Sequence, residues 1–247
     1  MRESFKYKLE EGCTGLGITL TVEQQEKLFQ YYEMVIEKNK VMNLTSITEE
    51  ADFIEKHIVD SLAVVKAGKE ICEVLAAGDI DIIDVGTGAG LPGIVLKIYY
   101  PSIRLTLFDS LQKRLRFLEE VIETLQFSNT KTLHGRAEDI GQNAEYREKF
   151  DFVTSRAVAN LSTLSEYCLP LTKPYGIFLP YKSGDIDEER READKAIRLL
   201  GGELCTVEKY HLPGTDIARS ILIIEKIKHT PKKYPRKAGI PSKTPIQ

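Results

Sequence analysis

The chain has 247 residues, 42% of them hydrophobic and 29% charged, enough apolar content for one buried core and too much for a disordered chain. No apolar run approaches the roughly 20 residues of a membrane span, and the charged start from Met1 to Gly12 lacks the hydrophobic stretch of a secretory signal; a cytoplasmic location is expected. Cys13, Cys72, Cys168 and Cys205 lie far apart with no Cys-x-x-Cys pair, which argues against a disulfide framework and against a metal site.

The formal net charge of −3 hides an asymmetry. The stretch from Lys226 to Gln247 holds 7 of the 34 Lys and Arg residues and no acid, leaving 27 bases against all 37 acids elsewhere. An acidic body with a basic, proline-bearing end suggests an anionic partner, nucleic acid first among them, with a solvated tail as the plain alternative.

Along the chain, Thr21 to Gln24 has the Thr-x-x-Gln form of a capping box, and Leu28, Tyr32, Val35 and Ile36 recur at helical spacing. An amphipathic helix over about residues 21 to 40 is predicted. A second helical segment is predicted over 51–67, with His57, Asp60 and Ser61 among apolar neighbours. From Asp81 onward, strand-like runs at 82–85, 105–108, 131–134, 152–154 and 176–179 alternate with helical stretches at 94–99, 112–125, 161–169 and 186–200. This alternation builds a mainly parallel sheet with helices on both faces. The last two runs, 204–212 and 220–226, have only a Pro213-Gly214 turn between them and should pair antiparallel. The expected fold is therefore α/β and Rossmann-like: a seven-stranded, mainly parallel sheet closed by an antiparallel hairpin, as in a class I S-adenosylmethionine-dependent methyltransferase. A helical extension over 1–70 would pack on a catalytic domain over 71–228, followed by a basic tail over 229–247.

The most informative stretch runs from Ile82 through Asp84, Gly86, Gly88 and Gly90 to Gly93. An apolar strand ends beside a carboxylate, alternating glycines turn the chain tightly, and a helix follows at once, which describes a ligand-binding βα turn. Gly88 to Gly93 also satisfies the Gly-x-Gly-x-x-Gly dinucleotide fingerprint, so the pattern alone leaves NAD open. Asp84 favours a cationic aminoacyl sulfonium over a pyrophosphate, which wants amide donors, and S-adenosylmethionine is the preferred ligand. Asp109 ends the second strand, at the distance beyond the glycine turn where an acid accepts hydrogen bonds from ribose hydroxyls. A cap for the helix at Gln112 is the other reading of that residue.

Several blocks in order resemble the bacterial small-subunit ribosomal RNA guanine-N7 methyltransferases, the glucose-inhibited division protein B family. They are Asn43-Leu44-Thr45, Lys56-His57-x-x-Asp60-Ser61-Leu62, the glycine turn, Asp109-Ser110-x-x-Lys113-Arg114, His134-Gly135-Arg136-Ala137-Glu138, Thr154-Ser155-Arg156-Ala157-Val158-Ala159 and Thr230-Pro231-Lys232-Lys233-Tyr234-Pro235-Arg236. The resemblance implies methyl transfer from S-adenosylmethionine to N7 of a guanine in the decoding-region hairpin of 16S ribosomal RNA, on naked RNA or a small-subunit particle. It further implies that Gly86, Gly88 and Leu91 line the cofactor, that Ala137 and Glu138 hold the adenine edge, and that Arg156 closes the site near the methionine moiety. Leu91 stands where the family commonly has Phe.

Guanine N7 carries an in-plane lone pair and no proton, so no catalytic base is required. The segment after the fourth strand, Thr154-Ser155-Arg156-Ala157, lacks the Asp/Asn-Pro-Pro-aromatic motif of exocyclic-amine methyltransferases, and Cys168 reads as a packed thiol rather than a nucleophile. Candidate RNA contacts are His57, Lys182, Arg219, Lys232, Lys233, Arg236 and Lys237, with the prolines keeping the tail extended. An NAD-dependent oxidoreductase and a non-catalytic RNA-binding protein are the competing classes.

Overall fold

The computed structural model describes residues 1–247. Helix α1 (Glu3–Leu16) stops at Gly17, whose φ of 76° supplies the left-handed cap that ends many helices. The predicted box starts α2 (Val22–Asn39). The Gln24 amide donates to the Thr21 hydroxyl at 3.2 Å and the Thr21 amide donates to Gln24 Oε1 at 2.9 Å, the reciprocal pairing that satisfies two otherwise orphaned donors. Phe5 of α1 meets Phe29 and Tyr32 of α2 ring to ring, and Tyr32 in turn meets Phe53 of the following segment.

The helix expected over 51–67 is not continuous. It consists of α3 (Glu50–Phe53), a π-helical turn (Ile54–Val59), α4 (Asp60–Leu62) and a 3-10 turn (Ala63–Ala67). Side chains compete here for carbonyls of the helical ladder. Arg156 donates to Lys56 O at 3.1 Å, and Ser61 Oγ donates back to His57 O at 2.6 Å. Helix α5 (Lys69–Ala77) then leads into the sheet.

Strands β1 (Asp81–Val85), β2 (Arg104–Asp109), β3 (Thr130–His134), β4 (Phe150–Arg156) and β5 (Thr172–Ser183) run parallel; β7 (Ala218–Lys226) lies antiparallel between β5 and β6 (Gly202–His211). The spatial order is β3-β2-β1-β4-β5-β7-β6. The direction of winding therefore reverses between β1 and β4, the topological switch at which open α/β sheets bind ligands beyond their carboxyl ends. Helices α6 (Gly93–Tyr99), α7 (Gln112–Thr124), α8 (Ala137–Ile140), α9 (Leu161–Cys168) and α10 (Asp187–Leu199) connect the strands. One face of the sheet shares its core with the N-terminal helices through Leu28, Tyr31, Phe53, Ile94 and Leu118. The other packs Leu164, Cys168, Ala193 and Ile197. No helix is long and apolar enough to cross a membrane.

The segment after β7 departs from the extended tail expected of it. It folds back as a strap ending in the short helix α11 (Ile240–Lys243), with Tyr234, Pro241 and Ile246 buried. Side-chain donors capture its backbone: the Arg147 guanidinium bonds the carbonyls of Tyr234 at 2.8 Å and Thr230 at 2.7 Å. Lys226 Nζ, fully buried, reaches Thr230 Oγ1 at 2.8 Å and Glu148 Oε1 at 3.2 Å.

Candidate active site

Strand β1 delivers the glycine turn to the carboxyl edge of the sheet. Gly86, Gly88 and Gly90 have φ of 71°, 60° and 107°, conformations that side chains of L residues strain to adopt. The amides of Gly86 and Thr87 both donate to Phe108 O, at 2.8 and 3.0 Å, and Tyr31 Oη of α2 donates to Ala89 O at 2.9 Å. Asp84 is fully buried and does not line a ligand space. Its Oδ2 accepts from the Thr87 hydroxyl at 2.6 Å and from the Gly93 amide at 2.9 Å, so it staples the turn to the start of α6. Burial pushes its carboxyl up to about 6 against the opposing pull of these two bonds. This corrects the expectation that Asp84 serves a sulfonium: its Oδ2 is spent on its own loop and the residue does not line the cavity.

A cavity of about 640 Å³ opens beyond β1, β2 and β3, within the size range of small-ligand sites. Gly86, Asp109, Ala137 and Glu138 line it, together with apolar surface from Phe108, Leu111 and Val158. Asp109 accepts from the Gly88 amide at 3.0 Å and Arg114 Nη1 at 3.4 Å through Oδ2, and from the Leu111 amide at 2.8 Å through Oδ1, leaving a further lone pair on Oδ1. It does not cap α7, whose N-cap is Leu111 without a side-chain bond. Glu138 Oε1 accepts from the Gly239 amide at 2.8 Å, and Gly239 and Ser242 of the strap complete the wall. Gly88 contributes its amide to Asp109 but does not itself line the cavity, and Leu91 is buried in the core shared with the N-terminal helices.

A second cavity, about 360 Å³, opens beyond β4 and β5 and is lined by His57, Asp60, Arg156, Lys182 and Arg219. The loop after β4 divides the two: Ala157 lines the second cavity and Val158 the first, with Ala157 at a φ of 57°. Arg156 lines the second cavity and not the first. Its Nη1 donates to Asp60 Oδ2 at 2.9 Å and its Nη2 lies 3.2 Å from His57 Nδ1. That nitrogen also lies 3.1 Å from Lys56 O, and Nε2 lies 2.8 Å from Thr45 Oγ1, so both ring nitrogens are engaged. Burial, reinforced by Arg156, lowers His57 to about 3, since both disfavour the charged ring. A neutral ring with both nitrogens engaged supplies no cation to a phosphate.

Lys182 bonds Ala159 O at 2.7 Å and Glu189 at 2.5 Å. Arg236 is corrected outright: its guanidinium grips fully buried Glu166, with Nη2 to Oε2 at 2.6 Å and Nε to Oε1 at 3.0 Å, and anchors the strap instead of facing solvent. Lys232, Lys233 and Lys237 stay exposed on the strap. Sequence reasoning missed Gly239, Ser242 and Val158 as walls of the first cavity. Glu166, the one charged residue of helix α9, was the available signal, since a buried carboxylate demands a cation from somewhere.

These residues fit S-adenosylmethionine and fit a dinucleotide poorly. A pyrophosphate needs the first amides of the helix after the turn, but the Gly93 amide is already committed to Asp84 and Pro92 has none. In the same region Asp109 and Glu138 offer acceptors for the hydroxyls and amino group of an adenosine. The fold is shared with a SAM-dependent methyltransferase from Aquifex aeolicus (TM-score 0.50, 17% identity, 70% of this chain and 92% of that one). It is also shared with the antibiotic-resistance methyltransferase Kmr (TM-score 0.51, 18% identity, 63% and 91%). Fold and site together define a class I S-adenosylmethionine-dependent methyltransferase.

Residues 24–220 match the GidB family model, rRNA small subunit methyltransferase G. The chain is 48% identical over 238 residues to the ribosomal RNA small subunit methyltransferase G of Desulforamulus reducens, covering 96% of this chain and 97% of that one. Against the Bacillus subtilis enzyme of the same name it is 45% identical over 248 residues, covering 97% and 99%. The chain belongs to the rRNA small subunit methyltransferase G family.

Proposed function

We propose that this protein methylates N7 of a guanine in the decoding-region hairpin of 16S ribosomal RNA. The observation that carries the reading is the absence of an available base where β4 ends. His57 is held neutral with both nitrogens engaged, and Asp60 is held by Arg156 and Arg219. An amine or hydroxyl acceptor needs a group to take its proton, whereas guanine N7 has none to lose.

Bound S-adenosylmethionine supplies an electrophilic methyl carried on a sulfonium. Asp109 and Glu138 would hold its adenosine portion through their remaining lone pairs, and the Gly86 turn admits close backbone approach. Catalysis by this chain then consists of placement: fixing the acceptor nitrogen in line and keeping the polar surroundings in place beforehand. Exposed Lys232, Lys233 and Lys237 supply phosphate contacts that position the RNA.

Mass mapping of modified guanines in small-subunit RNA from cells with and without the protein tests the reading. One N7-methylguanine in that hairpin should disappear with the gene and return with the wild-type copy. An unchanged modification map would refute it.

A further inference from the structure

The second cavity has a charge arrangement that the reaction above leaves unused. Four cations line it: Lys56, Arg156, Lys182 and Arg219. Lys56 pairs with Asp52 at 2.9 Å and Lys182 with Glu189 at 2.5 Å. The two guanidiniums must share a single carboxylate, that of Asp60, at 2.9 Å from Arg156 and 3.2 Å from Arg219. One positive charge therefore lacks a partner, in a setting where the Arg156 and Arg219 side chains are only 12% and 18% exposed. A cation so poorly hydrated favours an anion that enters the cavity.

The donor inventory says which arginine meets it. Arg156 is committed on both terminal nitrogens, to Asp60, Lys56 O and His57. Arg219 gives Nε to Asp60 and Nη1 to Ala218 O at 3.1 Å, and its Nη2 has no partner. Asp60 in turn fixes the direction of that fork. The lining offers no open aromatic face for a nucleobase, because Tyr181 is buried and its hydroxyl donates to Ser61 O at 2.9 Å. Ala157 and Val158, adjacent in sequence, face the two cavities from either side of one loop, so a group bound here sits next to the cofactor cavity.

We propose that this cavity takes a backbone phosphate of the RNA strand beside the methylated guanine, contacted by Arg219, with Asp60 and Arg156 as positioning residues. The inference rests on the function proposed above and names a subsite for its substrate. The rival anion is the carboxylate of the cofactor's methionine end, and the experiment separates the two.

Titration of a labelled RNA hairpin from the decoding region, across a range of salt, compares the wild type with Arg219→Ala and Arg219→Lys; calorimetry gives S-adenosylmethionine affinity for each. Arg219→Ala should weaken RNA binding about 5- to 10-fold near 0.1 M salt and reduce the salt slope by about one unit, the counterion release of one phosphate. Cofactor affinity and melting temperature should stay near wild type. Arg219→Lys should keep the salt slope while losing part of the affinity, since the charge remains and the fork does not. A salt slope untouched by Arg219→Ala would overturn the proposal, as would a loss of cofactor affinity matching the loss of RNA affinity. If wild-type RNA binding ignores salt altogether, this proposal falls with it. If instead the methyl is mapped to another RNA atom, the function reading fails while the Arg219 comparison still decides the phosphate subsite.

Discussion

Gly86 and His57 set the sharpest expectations for single residues. A Cβ added at Gly86 would lie 2.5 Å from Val158 Cγ2 on a backbone with φ of 71°. Gly86→Ala should therefore displace the β4 loop as well as strain the turn by about 1–2 kcal/mol. Calorimetry should report at least a roughly tenfold loss of S-adenosylmethionine affinity, since a displacement of that order moves the cavity wall, and adding Val158→Ala should restore part of it. His57 supplies a pH signature. Its folded pKa of about 3 lies below the ordinary 6.5, so between those values the unfolded chain binds more protons. Its contribution to stability is complete above pH 6.5 and erodes as pH falls toward 3. Denaturation at pH 7 and pH 5 should show a smaller loss in His57→Gln than in wild type, by about 2 kcal/mol. Buried Asp84, raised to about 6, works in the opposite direction below that pH. It does so in both proteins and drops out of the comparison. Asp109 could be singled out from its position at a strand end beyond the glycine turn, Ala137 and Glu138 only through the family resemblance, and all three line the first cavity. The orientation of Asp84 could not, because a strand-end carboxylate has amides of its own loop within reach and only the closed turn decides between them and a ligand.

The strap and the broken helix show what is lost when an element is read alone. Prolines and lysines in residues 229–247 gave no hint that Arg236 has a mate at Glu166, seventy positions earlier in the chain. Arg236→Ala strands a fully buried carboxylate and should lower stability by about 3–5 kcal/mol in thermal or chemical unfolding, whereas Arg236→Met with Glu166→Leu should recover most of it. Joint alanine replacement of Lys232, Lys233 and Lys237 makes the contrasting case. Stability should move by no more than about 0.5 kcal/mol per site, while the salt slope of RNA binding should fall by about one unit for each phosphate contact removed. Periodicity located the segment 51–67 correctly but not its interruption, where Arg156 reaches across from β4 to a ladder carbonyl. Where both partners are local, as in the Thr21 to Gln24 box, the sequence reading matched the structure atom for atom.

At the scale of the molecule, alternation of strand and helix revealed the sheet because burial on both faces leaves a pattern in every element. The closing hairpin was legible from the shortness of its turn. The placement of two cavities along one sheet edge was not, since it depends on the loop after β4 standing between them. That architecture also bears on ligand choice: with the Gly93 amide held by Asp84, calorimetry should detect binding of S-adenosylmethionine and of its demethylated product but none of NAD. Heat from NAD alone would require another account of the glycine turn. The strap has a consequence for maturation. Gly239 and Ser242 reach the first cavity from a stretch that follows all seven strands, so a molecule with its sheet assembled and that stretch unfastened holds a breached crevice. Clipping the backbone just after β7 should therefore open that crevice and, where the strap comes away with Arg236, lower stability as well by stranding Glu166.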